Sequence, residues 1–153
     1  MIEKPAGTAH AIEPMLARRW SGRAYDGSRA VPRTDLLRVL EAARWAPSCF
    51  GDEPWRILSA DRERNRAGWD GVLACLIEGN RAWAMHAPVL LVMAADTAFA
   101  ANDKPNRWGG YDTGAAALSL ALQATALGLM AHQMGGFDAA AVRACCAIPA
   151  RYE

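Results

Sequence analysis

The chain has 153 residues, with 17 Lys plus Arg against 16 Asp plus Glu and a formal net charge of +1, so no whole-molecule field draws it to nucleic acid or to an anionic membrane. Its 52% hydrophobic and 22% charged content excludes disorder, because such a chain can bury enough apolar surface to offset its ordering entropy. A domain of this length buries roughly 65–70% of its unfolded surface, enough for a core without disulfides or metal.

Residues 1–12 carry Pro5, Gly7 and Thr8 with little apolar pattern and are expected to form a flexible N-terminal segment, followed by a single domain over residues 13–153. Pro14 suits the first turn of a helix that stops by Ser21-Gly22. Thr34 can cap a second helix, in which Leu36, Leu37, Leu40 and Ala43 recur at helical spacing until Pro47 forbids continuation; Trp45 is expected to pack inward. Trp55 to Ala60 alternates as a strand does, and the charged run from Asp61 to Arg66 reads as a solvated connection. A helix is expected over Trp69 to Asn80. Pro88 to Ala95 is a continuous apolar run suited to a strand buried on both faces.

Ala98 to Gly110 is polar, broken by Pro105, and reads as a surface loop. Tyr111 to Leu127 changes to Ala, Leu, Gly, Ser and Thr with Asp112 as its one charge, which predicts a long helix, apolar nearly all round, in a large core or at a subunit interface. Gly128 can terminate it. Leu129 to Met134 then reads as a short strand, Gly135-Gly136 as a sharp turn, and Asp138 as the cap of a last helix through Ala144.

No stretch approaches the roughly 18–20 apolar residues of a membrane span, and the first residues lack a signal peptide's apolar core. The protein is therefore expected in the cytoplasm, with neither nucleic acid nor membrane as a partner. Cys49, Cys75, Cys145 and Cys146 form no CxxC pair, and His10, His86 and His132 are scattered, so reduced thiols and no metal site are expected.

The usual phosphate-loop, dinucleotide, hydrolase and zinc-protease signatures are absent. Three clusters remain. Arg18-Arg19-Trp20-Ser21-Gly22-Arg23-Ala24-Tyr25 offers guanidinium groups and a hydroxyl at a helix end, which suits either a phosphate or a solvated basic turn. Pro47-Ser48-Cys49-Phe50-Gly51-Asp52-Glu53-Pro54-Trp55 is a loop restrained by prolines, readable as a rigid rim over a flat ligand or as plain structure. Cys49 is a conceivable nucleophile, with no His or Asn beside it in sequence. Gly135-Gly136-Phe137-Asp138 allows close backbone approach to a ligand at a helix start, or is an ordinary connection.

Together with Asp112-Thr113-Gly114-Ala115-Ala116, and in this order, these clusters resemble the nitroreductase-like flavoprotein family. The family's patterns are Arg-x-Ser-x-Arg/Lys before an aromatic, a Pro-Ser loop leading to Pro-Trp, an Asp-x-Gly-x-Ala helix, and a Leu-Gly…Gly-Phe-Asp turn. The resemblance implies an α+β fold with a mixed central β-sheet packed by helices, a long apolar central helix among them, and a homodimer binding FMN at its interface. It implies that Arg19 holds the FMN phosphate, Ser21 makes a polar flavin contact and Arg23 sits at the pyrimidine edge. Pro47 and Ser48 would form the rim, and Gly135, with Gly136 beside it, would present its N–H toward N5. The implied activity is hydride transfer from NAD(P)H through the flavin to a nitroaromatic, quinone or related small-molecule acceptor, with no side-chain catalyst. Gly51 and Glu53 stand where the family often has Asn and Gln, and members usually continue for some tens of residues past Ile148-Pro149. A C-terminally short chain is therefore expected, and the alternative activity is a non-catalytic flavin-binding or dimerising module of the same fold.

Overall fold

The computed structural model describes residues 4–153; Met1 to Glu3 of the expected flexible segment lie outside the described residues. The elements run α1 (Pro14–Arg18), α2 (Arg33–Arg44), β1 (Trp55–Asp61), α3 (Arg66–Ala74), α4 (Glu78–Ala84), β2 (Val89–Ala95), α5 (Gly109–Ala126) and α6 (Ala139–Cys145). β1 and β2 pair antiparallel, Trp55 opposite Ala95 and Asp61 opposite Val89.

This small antiparallel sheet has helices on both sides. Alternation sends successive strand residues to opposite faces: Trp55, Ile57, Val89, Leu91 and Met93 join a cluster with α2 and α5, while Ala60 and Leu90 join one with α3 and α4. The α+β class stands, but the sheet among the described residues is two antiparallel strands rather than a mixed one. Leu129 to Met134, expected as a strand, has no ladder partner. Its apolar pattern favours extension, yet a strand exists only when a neighbour takes its backbone groups.

Three other expectations are corrected. α2 begins one residue before Thr34, because the Pro32 carbonyl accepts from both Asp35 and Leu36 N–H, and no side chain caps it. Trp45 is 75% exposed; the helix ends beneath it, and its indole donates to Glu41 (2.9 Å) with the Arg44 guanidinium over the ring, while Ala43 and Ala46 take the inward positions. The helix expected over Trp69 to Asn80 is two helices. Leu76 bridges Phe137 between them, with Ile77 N–H bound to the Gly136 carbonyl and Asp138 N–H to that of Cys75. Those backbone groups cannot also serve a helical ladder.

In α5, Gly109, Asp112, Ala116, Leu120 and Ala124 form a buried stripe whose small side chains let the helix lie close to α2. Tyr111 and Leu118 on other faces are exposed. Gly128 (φ 72°) ends this helix. Asp138 caps α6 through Ala141 N–H (2.9 Å). No helix among the described residues is long and apolar enough to cross a membrane.

Candidate functional site

α1 is short because Arg19 leaves it in extended conformation (φ −66°, ψ 122°), and residues 19–25 continue as an irregular strap. Arg19 Nη1 donates to Ser21 Oγ (3.4 Å), the one contact between two of the expected site residues in this strap. Among the described residues no ion pair engages Arg18, Arg19 or Arg23. Three guanidinium groups within six residues thus stand without a compensating carboxylate among the described residues.

α4 supplies the floor of the strap. Trp83 lies beneath Arg23, whose guanidinium carbon is 5.9 Å from the ring centroid, and stacks on Tyr25 at 6.1 Å. Its other neighbour is His132, at 4.5 Å between centroids, and His132 Nδ1 donates to the Gly22 carbonyl (3.0 Å). Burial pushes the Tyr25 phenol up to about 12. One turn earlier on α4, Asn80 donates to the Gly136 carbonyl (3.0 Å). A Cβ on Gly136 would lie 2.6 Å from Asn80 Nδ2 and 2.7 Å from Ile77 Cδ1, so a larger residue here must displace both side chains, whereas a Cβ on Gly135 would meet open space. The structure therefore brings Arg23 and the Gly135-Gly136 turn to one helix, through Trp83 and Asn80.

Pro47 and Ser48 belong to a second group. Their loop passes through a 3-10 turn at Cys49–Gly51, with positive φ at Phe50, Gly51 and Glu53. Ser48 Oγ accepts from Glu53 N–H (3.0 Å), and Asp112, only 5% exposed, accepts from Cys49 N–H (2.9 Å), tying the loop to the start of α5. The Asp52 carboxylate accepts from Ala100 N–H and Asn106 Nδ2, so it is committed to the 98–108 loop. Glu53 is exposed. Aromatic side chains surround this group: Phe50 is 94% exposed and meets Phe99 edge-on, and exposed Trp108 and Tyr111 meet likewise. No hydrogen bond among the described residues joins the Pro47–Ser48 loop to the strap or to the glycine turn.

Sequence reasoning did not single out Asn80, Trp83 or His132 as a support, nor Asp112 as the loop's anchor. The signal that could have found them is Trp83 in the short helix Glu78–Ala84, a large aromatic one turn after Asn80. The described residues contain no cluster of three or more His, Cys, Asp or Glu placed to hold a metal ion.

What these two groups offer chemically is donors rather than a catalyst: cations without an ion pair and a glycine turn in one, a hydrogen-bonded loop in the other. The nitroreductase family model matches residues 16–153. The fold superposes on a solved oxidoreductase containing FMN with a TM-score of 0.90 at 34% identity, covering 100% of this chain and 78% of that one. A Desulfovibrio desulfuricans protein described as a nitroreductase and solved in complex with FMN gives 0.74 at 27% identity, covering 93% and 81%. A Streptomyces coelicolor protein named for NADH dehydrogenase or NAD(P)H nitroreductase activity is 39% identical over 64 residues, which is 42% of this chain and 30% of that protein's length.

Proposed function

Because the chain belongs to the nitroreductase family, we propose that it is an FMN-dependent oxidoreductase that passes hydride from NAD(P)H to a nitroaromatic, quinone or related small-molecule acceptor. The observation that carries this reading is the uncompensated strap of Arg18, Arg19 and Arg23 beside a glycine turn. The FMN found in two similar structures supports it.

The residues present fit that group. A phosphate needs donors whose charge is not already spent, and Arg19 with Ser21 offers them. Gly135 is exposed, and its N–H donates to no backbone carbonyl among the described residues. Bound FMN supplies the redox chemistry by accepting and returning a hydride at N5, so the chain need supply no acid, base or nucleophile.

The chain's residues bind and orient. Arg19 holds the phosphate, and Ser21 adds a polar contact. Arg23 is a cation that does not titrate, held over Trp83, and it lowers the energy of negative charge at the ring's pyrimidine edge. Gly135 offers its N–H to the ring, with Gly136 positioned by Asn80. Pro47 and Ser48 form a rim whose rigidity comes from the Asp112 anchor. The exposed aromatic side chains around that rim give a homodimer, with the site at its interface, a surface to bury.

The test begins with the visible spectrum of the protein after incubation with FMN and removal of free ligand. Retained flavin is expected, and a colourless folded protein would overturn the reading. Arg19→Ala should weaken FMN binding by roughly 10- to 150-fold, the loss of a charged hydrogen bond of about 1.5–3 kcal/mol. Sustained NADH or NADPH oxidation with a quinone separates the enzyme from a flavin-binding module without turnover.

A further inference from the structure

Cys75, Cys145 and Cys146 take no part in the site described above, yet the fold gathers them. Cys75 is the C-cap of α3, and Cys145 and Cys146 close α6. These two helices pack antiparallel: the Cys75 carbonyl accepts from Asp138 N–H at the start of α6 (2.9 Å), while Gly71, one turn back along α3, meets Cys145 at the other end of α6. A Cβ on Gly71 would lie 2.7 Å from Cys145 Sγ, so the missing side chain is what makes room for that sulfur. The Cys75 thiol turns back to the same residue and donates to the Gly71 carbonyl (3.2 Å). Side chains lean toward the N-terminus of their own helix. At the C-terminal ends of two antiparallel helices, that is toward each other, and the two sulfurs converge on Gly71.

Their surroundings differ. Cys145 is exposed, Cys75 is buried and Cys146 is half-buried. Burial pushes the Cys75 and Cys146 thiols up, the Cys145 thiol beside both acts in the same direction, and Asp138 adds to it at Cys75. Arg143, the cation within α6, spends its guanidinium on the carbonyls of Ile148, Pro149 and Tyr152. Peroxide selects thiolates held by a neighbouring cation. Exchange with a disulfide asks instead for an exposed thiol to attack and a second thiol within reach to resolve the product.

The geometry points to Cys75 and Cys145 as a redox-active dithiol that a small-molecule disulfide oxidises to an intramolecular bond tying α3 to α6. Cys145, as its thiolate, attacks one sulfur of the small disulfide; that S–S bond breaks, one thiol departs and a mixed disulfide is left on Cys145. Cys75 then gives up its proton and attacks Cys145 Sγ, releasing the second thiol. The protein's dithiol has lost two electrons and two protons, and the small disulfide has become two thiols. Cys146 is the poorer partner for Cys145. Neighbouring residues on a helix do not face each other, and their Cα atoms, about 3.8 Å apart, fall short of the roughly 4.4–6.8 Å that a disulfide spans. Nothing in this pairing depends on a bound flavin.

The test uses the intact 153-residue protein, reduced and then exposed under native conditions to oxidised glutathione. Mass spectrometry should show the loss of two hydrogens, no glutathione retained on Cys75 or Cys145, and a cross-linked peptide joining these two residues. Closing a loop of about 70 residues in the unfolded chain should also raise the melting temperature. Cys75→Ser should stop at the mixed disulfide, with glutathione held on Cys145, whereas Cys146→Ser should close as the parent does. Glutathione that stays on Cys145 of the parent would overturn the proposal, as would a bond mapped to Cys145 and Cys146 or to two different chains. So would closure that needs urea, or an oxidised form that melts below the reduced one, since either would mean that the folded helices do not hold the two sulfurs within bonding reach.

Discussion

Asp112 holds the Pro47–Trp55 loop to α5 through one bond spanning 63 positions, and its removal is the sharpest probe of that loop. In Asp112→Ala the Cys49 N–H loses a charged acceptor 2.9 Å away, worth about 1.5–3 kcal/mol when the donor stays out of water. The carboxylate also sits in the first turn of α5, where it favours the helix dipole by about 0.3–1 kcal/mol. Alanine relieves the cost of burying a charge at a residue only 5% exposed, which offsets part of the loss. The net expectation is a destabilisation of about 1.5–3 kcal/mol. Asp112→Asn keeps an acceptor oxygen and should cost about 1 kcal/mol. Urea unfolding measures both. Amide exchange at Cys49 localises the effect: if the loop opens by the same free energy, exchange there quickens roughly 10- to 150-fold in Asp112→Ala. A variant within about 0.5 kcal/mol of the parent, the range of an ordinary surface change, with Cys49 exchange unaltered, would refute the anchoring role.

Gly136→Ala should cost about 1–3 kcal/mol, because its Cβ would press on Asn80 and Ile77; Gly135→Ala, facing open space, should leave thermal stability unchanged, and a comparison of the two melting curves checks both. Tyr25 should ionise only near pH 12 because burial disfavours the phenolate; its pKa is raised, so the stability it contributes is present below the ordinary value near 10 and lost as pH rises through 12. An ultraviolet titration of the three tyrosines should show it as the last. For Asp96, burial acts to raise the pKa, but bonds from Arg151 and Ala98 N–H and the charges of Arg151 and Arg56 outweigh it and hold the carboxyl below its ordinary value. Its contribution is therefore present above about pH 4 and lost as pH falls through the lower folded value. Asp96→Asn should flatten the acid limb of the stability profile, measured by urea midpoint against pH.

Features governed by neighbours within a few residues were legible in the sequence alone. Pro47 forbids helix beyond α2, Asp138 caps the last helix through its own first turn, and the apolar run at Val89–Ala95 forms a strand with helices on both faces. The ordered motifs from Arg19 to Asp138 likewise led to the family, because each is a local pattern. What the tertiary structure decided involves partners far apart in the chain. Residues 69–80 carry no proline, yet they split because Phe137 claims the backbone at Leu76. Leu129–Met134 has a strand's composition and lacks a strand's partner. Trp45 has a core residue's chemistry but falls on the outward side of a helix end, over Glu41. The supports of the candidate site, His132 to Gly22 across 110 positions and Asp112 to Cys49 across 63, follow the same rule. Caps, turns and periodicity are settled by local sterics and hydrogen bonds, whereas a long-range contact exists only once the whole chain has chosen which faces to bury.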